Sequence, residues 1–321
     1  MYKSGFLFSL ILLIVWGCGE DRKIAGEVAE INVDMVIHRF DQEFSRASAD
    51  DISNLKQKYP YLFPSQYPDS VWQAKLKDTL QLEILDEIKQ TFPDFKDESE
   101  ALEMLFKHIK YYFPGAPTPK VITVPSDVDY RNRVILADSL LLIGLTNYLG
   151  EDHKFYEGIE RYIAKGLDKR FLISDVAGTF SNKMLNYPKD RSFLARMVYY
   201  GKGLYIKDQL IPLESDAVRI GYSSEELQWA RANEERIWRY FVERELLYST
   251  EAELDARFLM PAPFSKFRLE LVDNESPDRL GRYIGWQIVR SFMSRNDLSL
   301  QQMFRLPADE IFKRSNYKPK K

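Results

Sequence analysis

The sequence predicts an α+β fold that is mainly helical, with a few strands confined to the N-terminal half. From about residue 154 onward the apolar residues recur almost wholly at helical spacing. Strand-like patterning is restricted to 31–40, 121–124 and 134–143. Between these lie helix-length stretches that end at aromatic–proline pairs: Tyr59-Pro60, Phe92-Pro93 and Phe113-Pro114. Proline pushes the preceding residue out of the helical region, so each pair stops a helix.

Taken in order, Ile31–Phe40 alternates as a strand, and helices are predicted at about 50–58, 71–91 and 98–112. Val121–Val124 and the continuous run Val134–Ile143 read as strands, the second buried on both faces. Leu194, Met197, Val198, Gly201 and Tyr205 share one face of a helix over about 191–209, which Pro212 ends. Ser223 and Glu226 form a capping box that opens a helix to about Leu247. Ser276-Pro277-Asp278 has the cap, the first-turn proline and the acid of another helix start. The domain organisation expected is a leader (1–17), a polar tether (18–30), a strand-and-helix region (31–115) and a mainly helical core (116–321) packed as one unit with it.

The leader has one positive charge, Lys3, and an apolar stretch from Phe6 to Val15. Ten helical residues rise ~15 Å, half of a bilayer core, so this is a signal h-region and not a span. It ends Val15-Trp16-Gly17-Cys18, and Cys18 is the one cysteine of 321 residues. The run resembles a bacterial lipobox, which implies that the thiol takes a diacylglyceryl group and that the new N-terminus is acylated. Acyl chains contribute about 0.8 kcal/mol per buried methylene, enough in combination to hold the chain on a membrane. Removal of the leader leaves 44 basic and 48 acidic residues with no basic patch beyond Lys318–Lys321, so nucleic acid is not an expected partner. A hydrophobic content of 45% with 14% aromatic describes a folded chain.

No motif of catalysis stands out. The histidines, His38, His108 and His153, are scattered, and neither H-E-x-x-H, G-x-S-x-G nor a phosphate loop is present. No cofactor and no metal are expected. Glu151-Asp152-His153 follows Gly150 and reads as a solvated turn. Glu234 falls in the stripe of Leu227, Ala230, Ile237 and Phe241, so it should be buried and needs a partner, for which Lys202 is the candidate. A structural ion pair and a general base in a cleft are both open readings of it. Gly281-x-x-x-Gly285 lies among arginines that forbid a membrane span, and with Gly201 and Gly203 it suggests close packing in a core.

Several strings together resemble the gliding-motility lipoprotein GldB family of the Bacteroidota. They include Arg39-Phe-Asp41, Leu142–Gly150, Met197–Tyr205, Asn233-Glu234, Pro263–Phe267 and Gly281–Arg290. The resemblance implies a role in surface gliding and the envelope machinery tied to type IX secretion, and membership does not itself imply an enzymatic activity. A fainter likeness runs to zincin-type proteases: Tyr200-Gly201-Lys202 looks like their third-ligand segment with tyrosine for glutamate, and the preceding helix, 174–185, contains no histidine. That implies a degenerate zincin-like scaffold, with the site emptied. The expected protein is therefore a non-catalytic, lipid-anchored envelope protein facing the periplasm, which docks gliding or secretion partners. Tyr200, Tyr205, Trp238, Tyr283 and Trp286 are the candidate docking cleft. The rival reading is a hydrolase of that zincin-like class with an unrecognised site near Glu234.

Overall fold

The structure is a computed structural model that describes residues 26–320. The leader, Cys18 and most of the tether lie outside the described residues. Helix makes up 57% of the described residues, and a small mixed sheet lies in the N-terminal half. Its strands are β1 (Ile37–Arg39), β2 (Lys120–Val124), β3 (Val134–Ala137) and β4 (Leu140–Gly144), in the spatial order β1-β2-β4-β3. β1 and β4 both run parallel to β2, pairing Ile37 with Val121 and Leu141 with Val121, while β3 is antiparallel to β4.

Five helices separate β1 from β2: α1 (Phe40–Ser45), α2 (Ile52–Lys58), α3 (Asp69–Lys75), α4 (Thr79–Thr91) and α5 (Lys96–Tyr112). The three aromatic residues before prolines do end helices; Tyr59, Phe92 and Phe113 are the C-caps of α2, α4 and α5. The expected helix over 71–91 is two, because Asp78 caps α4 by accepting from the Gln81 amide at 2.8 Å. The expected strand over 31–40 shrinks to β1, since β2 offers partners to residues 37–39 alone and Phe40 already opens α1. The run 134–143 is a hairpin and not one strand. Asp138 takes a positive φ of 45° at a two-residue turn, a conformation that aspartate tolerates better than most residues.

The remaining helices are α6 (Arg161–Ala164), α7 (Leu172–Met184), α8 (Phe193–Leu210), α9 (Asp216–Ile220), α10 (Ser224–Ala232), α11 (Glu234–Glu243), α12 (Glu253–Phe258), α13 (Glu270–Glu275), α14 (Leu280–Met293), α15 (Leu300–Arg305) and α16 (Ala308–Ser315). The capping box of Ser223 and Glu226 is present, but Asn233 interrupts the helix that it opens. The predicted stripe survives the break, with Leu227, Ala230, Glu234, Ile237 and Phe241 all buried. Ser276 does not cap α14. It ends α13, and its hydroxyl donates to the Ser265 and Asp273 carbonyls, while α14 starts after Arg279.

Both faces of β2 are covered, as a near-continuous apolar parallel strand requires. On one face Ile122 packs with Phe40, Phe44, Ile52 and Tyr59. On the other, Val121, Leu141 and Ile143 meet Leu102 and Phe106 of α5 and Val176 of α7. α8 then packs against both α7 and α14. At its crossing with α14 the backbones touch: a Cβ on Gly201 would lie 2.3 Å from the Gly285 carbonyl carbon, and one on Gly285 would lie 1.9 Å from the Met197 oxygen.

No flexible side chain stands at that crossing to yield, so a methyl there must push the helices apart. Gly285→Ala is expected to lose about 3 kcal/mol or more in urea unfolding. Gly26→Ala, which meets nothing within 4 Å, should unfold like the parent. Equal midpoints for the two variants would refute the close crossing.

Candidate functional site

A cavity of about 850 Å³ opens between α7 and α8. On α7, Ser174, Gly178 and Ser181 recur at helical spacing, so one face is kept small while Val176 and Phe180 point into the core. On α8, Tyr200, Gly203 and Lys207 do the same from the other side. The 218–221 segment and the start of α14, Asp278 to Arg282, close the remaining wall.

The lining has seven arginine and lysine side chains against two carboxylates. Four of the cations are paired. Arg133 meets Asp175 at 2.9 Å, Arg279 meets Asp278 at 2.9 Å, and Lys165 meets Glu226 at 2.6 Å. Arg219 meets Asp208 and Asp216 at 3.1 and 3.0 Å. Arg131 is exposed at the rim. Lys207 and Arg282 remain, and among the described residues neither has a carboxylate partner. Lys207 Nζ donates to Ser174 Oγ at 2.9 Å and to the Arg219 carbonyl at 3.0 Å. Arg282 Nε donates to the Leu259 carbonyl, and its guanidinium lies 4.0 Å from the Tyr200 ring centroid.

Protein atoms surround both side chains, which keep some surface toward the cavity. Burial pushes Lys207 down to about 8; Asp175 opposes the shift, and the charges of Arg133, Arg279 and Arg282 add to it. Burial likewise brings Arg282 down to about 10, with Arg279 adding to the effect.

Behind the cavity, Asp208 joins α8 to α14. It accepts two bonds of 2.7 Å from Arg290, one of 2.9 Å from Trp286 Nε1, and one from Arg219. Burial raises the Asp208 carboxyl above its ordinary range despite these donors. Asp216 is held at about 2, because Arg290 and Arg231 outweigh the burial that acts against them.

The residues expected to form a site are dispersed. Glu234 is 2% exposed, but it does not meet Lys202. Its oxygens accept from the Tyr283 hydroxyl at 2.8 Å, the Tyr317 hydroxyl at 2.9 Å and the Lys320 amide at 3.1 Å, which fastens the C-terminal tail to α11 and α14. Lys202 instead donates to the Phe304 and Leu306 carbonyls at 3.1 and 2.8 Å, at the negative end of α15. The five aromatics do not share a cleft. Tyr283 and Trp286 are core residues, Trp238 packs on Phe312 and Tyr317, and Tyr205 lies against the core. Only Tyr200 faces the cavity. Positions 200 and 205 are five apart on a helix of 3.6 residues per turn, so they point in different directions. Sequence reasoning missed Lys207 and Arg282, although Lys207 sits seven residues from Tyr200 on the same helix face, where a lone cation is a signal.

Fold and cavity together define an α+β protein with a cationic cavity walled by α7 and α8. The chain belongs to the gliding motility protein GldB family, whose model matches residues 21–319. Membership assigns it to gliding motility as a lipoprotein of that family. No curated protein and no solved structure matches the chain. Among the described residues no helix is long and apolar enough to cross a membrane.

Two outcomes test these environments. Glu234→Ala leaves two tyrosine hydroxyls and an amide without their acceptor and should cost about 2–4 kcal/mol, whereas Tyr317→Phe should cost about 1. A Glu234→Ala protein that melts with the parent would place the residue outside the core. For Lys207, the folded pKa of about 8 lies below the unfolded value, so the unfolded chain holds more protons between the two. Stability should therefore rise as pH goes from about 8 to 10, with Lys202, also lowered by burial to about 8, acting in the same direction. Lys207→Met should gain up to about 3 kcal/mol at pH 7 and less near pH 10. The Ser174 hydroxyl still serves the Arg219 carbonyl, at 3.3 Å, in that variant. Urea unfolding at the two pH values decides it, and a destabilised variant at pH 7 would reverse the sign.

Proposed function

We propose that the protein is a non-catalytic, lipid-anchored envelope component that serves gliding motility, and the type IX secretion machinery tied to it, by docking partner proteins from the periplasmic side of a membrane. The observation that supports it most is the family match over 21–319 combined with the side chains on the cavity walls. On the zincin-like likeness, Tyr200 stands in place of the third-ligand glutamate, and the preceding helix, 174–185, has no histidine. Among the described residues no group of three His, Cys, Asp or Glu side chains converges.

The hydrolase reading has lost its anchor at Glu234, whose two oxygens are taken by tyrosines and an amide. One nucleophile–base contact does exist in the cavity, Ser174 with Lys207. Ser174 is only 2% exposed, however, and its hydroxyl also lies within hydrogen-bond reach of the Arg219 carbonyl.

Lipid attachment and docking are tested together in the producing cells. Radiolabelled palmitate should enter the wild type and not Cys18→Ala. Crosslinking followed by affinity isolation from the envelope should recover gliding or secretion proteins with the wild type and lose them with Cys18→Ala. Label in both proteins, or no envelope partner with the wild type, refutes the corresponding half. Stoichiometric zinc together with a chelator-sensitive peptidase activity would restore the hydrolase.

A further inference from the structure

We propose that the cavity between α7 and α8 is a binding site for a small organic anion, one that carries a phosphate or carboxylate group beside an apolar portion. The inference goes beyond the docking reading and does not depend on it. Its basis is a charge imbalance inside the protein. Lys207 and Arg282 face the same internal space, and among the described residues neither meets a carboxylate. A cation withdrawn from water without a counter-ion is costly, and such groups are ordinarily paired.

Donor capacity is left over at this place. The Lys207 ammonium has three N–H groups and spends two, on Ser174 and the Arg219 carbonyl. Arg282 spends Nε on the Leu259 carbonyl and Nη2 on a long contact of 3.9 Å with Met260 sulfur, and Nη1 makes no hydrogen bond among the described residues. A planar guanidinium and a point-charge ammonium are the pair that recognises phosphate and carboxylate oxygens.

Backbone geometry supports the same assignment. Arg279 sits at φ 54°, in the left-handed region that a non-glycine residue keeps only when its surroundings over-determine it. Its guanidinium is fixed by Asp278 and by the Ile220 and Gly221 carbonyls at 3.1 and 2.9 Å, so a third cation is held rigid on that wall. Tyr130, Tyr162, Tyr199 and Leu185 supply ring and aliphatic surface that an inorganic ion would leave unused. The volume of about 850 Å³ falls in the range of small-molecule pockets.

The test uses the full chain, extracted in a neutral detergent and titrated calorimetrically at fixed ionic strength with phenyl phosphate and with benzoate. Saturable one-to-one binding of at least one probe is expected, and the tighter probe tells which oxyanion the site takes. Arg282→Met and Lys207→Met should each weaken it about tenfold or more, while Lys313→Met, on the exposed face of α16, should bind as the wild type does. Because Lys207→Met is expected to be at least as stable as the parent at pH 7, its loss of binding cannot come from unfolding. Lys207 is faced by Asp175, Arg133, Arg279 and Arg282 and is hydrogen-bonded to Ser174. Raising the pH from 7 to 9.5 should therefore weaken the wild type about tenfold or more and Lys207→Met less than twofold, the small remainder coming from Arg282. No saturable binding of either probe up to about 10 mM, or wild-type affinity in both cavity variants, overturns the proposal.

Discussion

The contact of two helix backbones at Gly201 and Gly285 sets the geometry of everything around it. With a Cβ on either residue the helices α8 and α14 could not approach as they do. Because they touch, Trp286 lies against Asp208 and is fully buried, and Arg290 on the next turn reaches the same carboxylate. The Tyr283 hydroxyl, one turn before Trp286 on α14, meets Glu234 and through it the C-terminal tail. A wider crossing would loosen all of these bonds at once, since each spans elements that the crossing holds in register.

The same geometry explains how one helix carries two opposite electrostatic tasks. Lys207 and Asp208 are neighbours in sequence, and successive helical residues point about 100° apart. Asp208 thus faces α14 and three donors, while Lys207 faces α7 and the cavity. The buried aspartate is neutralised by arginines, which is the ordinary solution for a charge in the interior. The half-buried lysine is bonded only to a hydroxyl and a carbonyl. That asymmetry within one turn of α8 is what distinguishes the cavity side from the core side.

Much of this was legible in the sequence. The fold class, the helix stops at Tyr59, Phe92 and Phe113, the capping box at Ser223 and the need for close approach at the glycines all follow from local chemistry or from spacing. The failures share a physical cause. The hairpin at Asp138 was hidden inside an apolar run, because a two-residue turn leaves almost no compositional trace. The break at Asn233 leaves the buried stripe intact, so periodicity cannot reveal it. Glu234 was placed in the core correctly, but its partners lie 49 and 83 residues away, at Tyr283 and Tyr317, and no local pattern encodes them. Lys202 found helix-end carbonyls in place of a carboxylate. The cavity depends on α7, α8 and the start of α14 meeting, which single-helix patterns do not describe.

In the proposed anion site, the Ser174–Lys207 contact orients a cation and does not activate a nucleophile. A nucleophile must present its oxygen to the substrate, and its base must be neutral enough to take the proton. Ser174 is 2% exposed, with its oxygen between the lysine and the Arg219 carbonyl, so little of it reaches the open space. Lys207, held at about 8, is still mostly protonated at pH 7 and keeps one N–H unspent. Ser174 therefore serves Lys207 as an acceptor that orients the ammonium, and the positive charge is retained. A charged, oriented ammonium beside a guanidinium stacked on Tyr200 is arranged to hold an oxyanion in place.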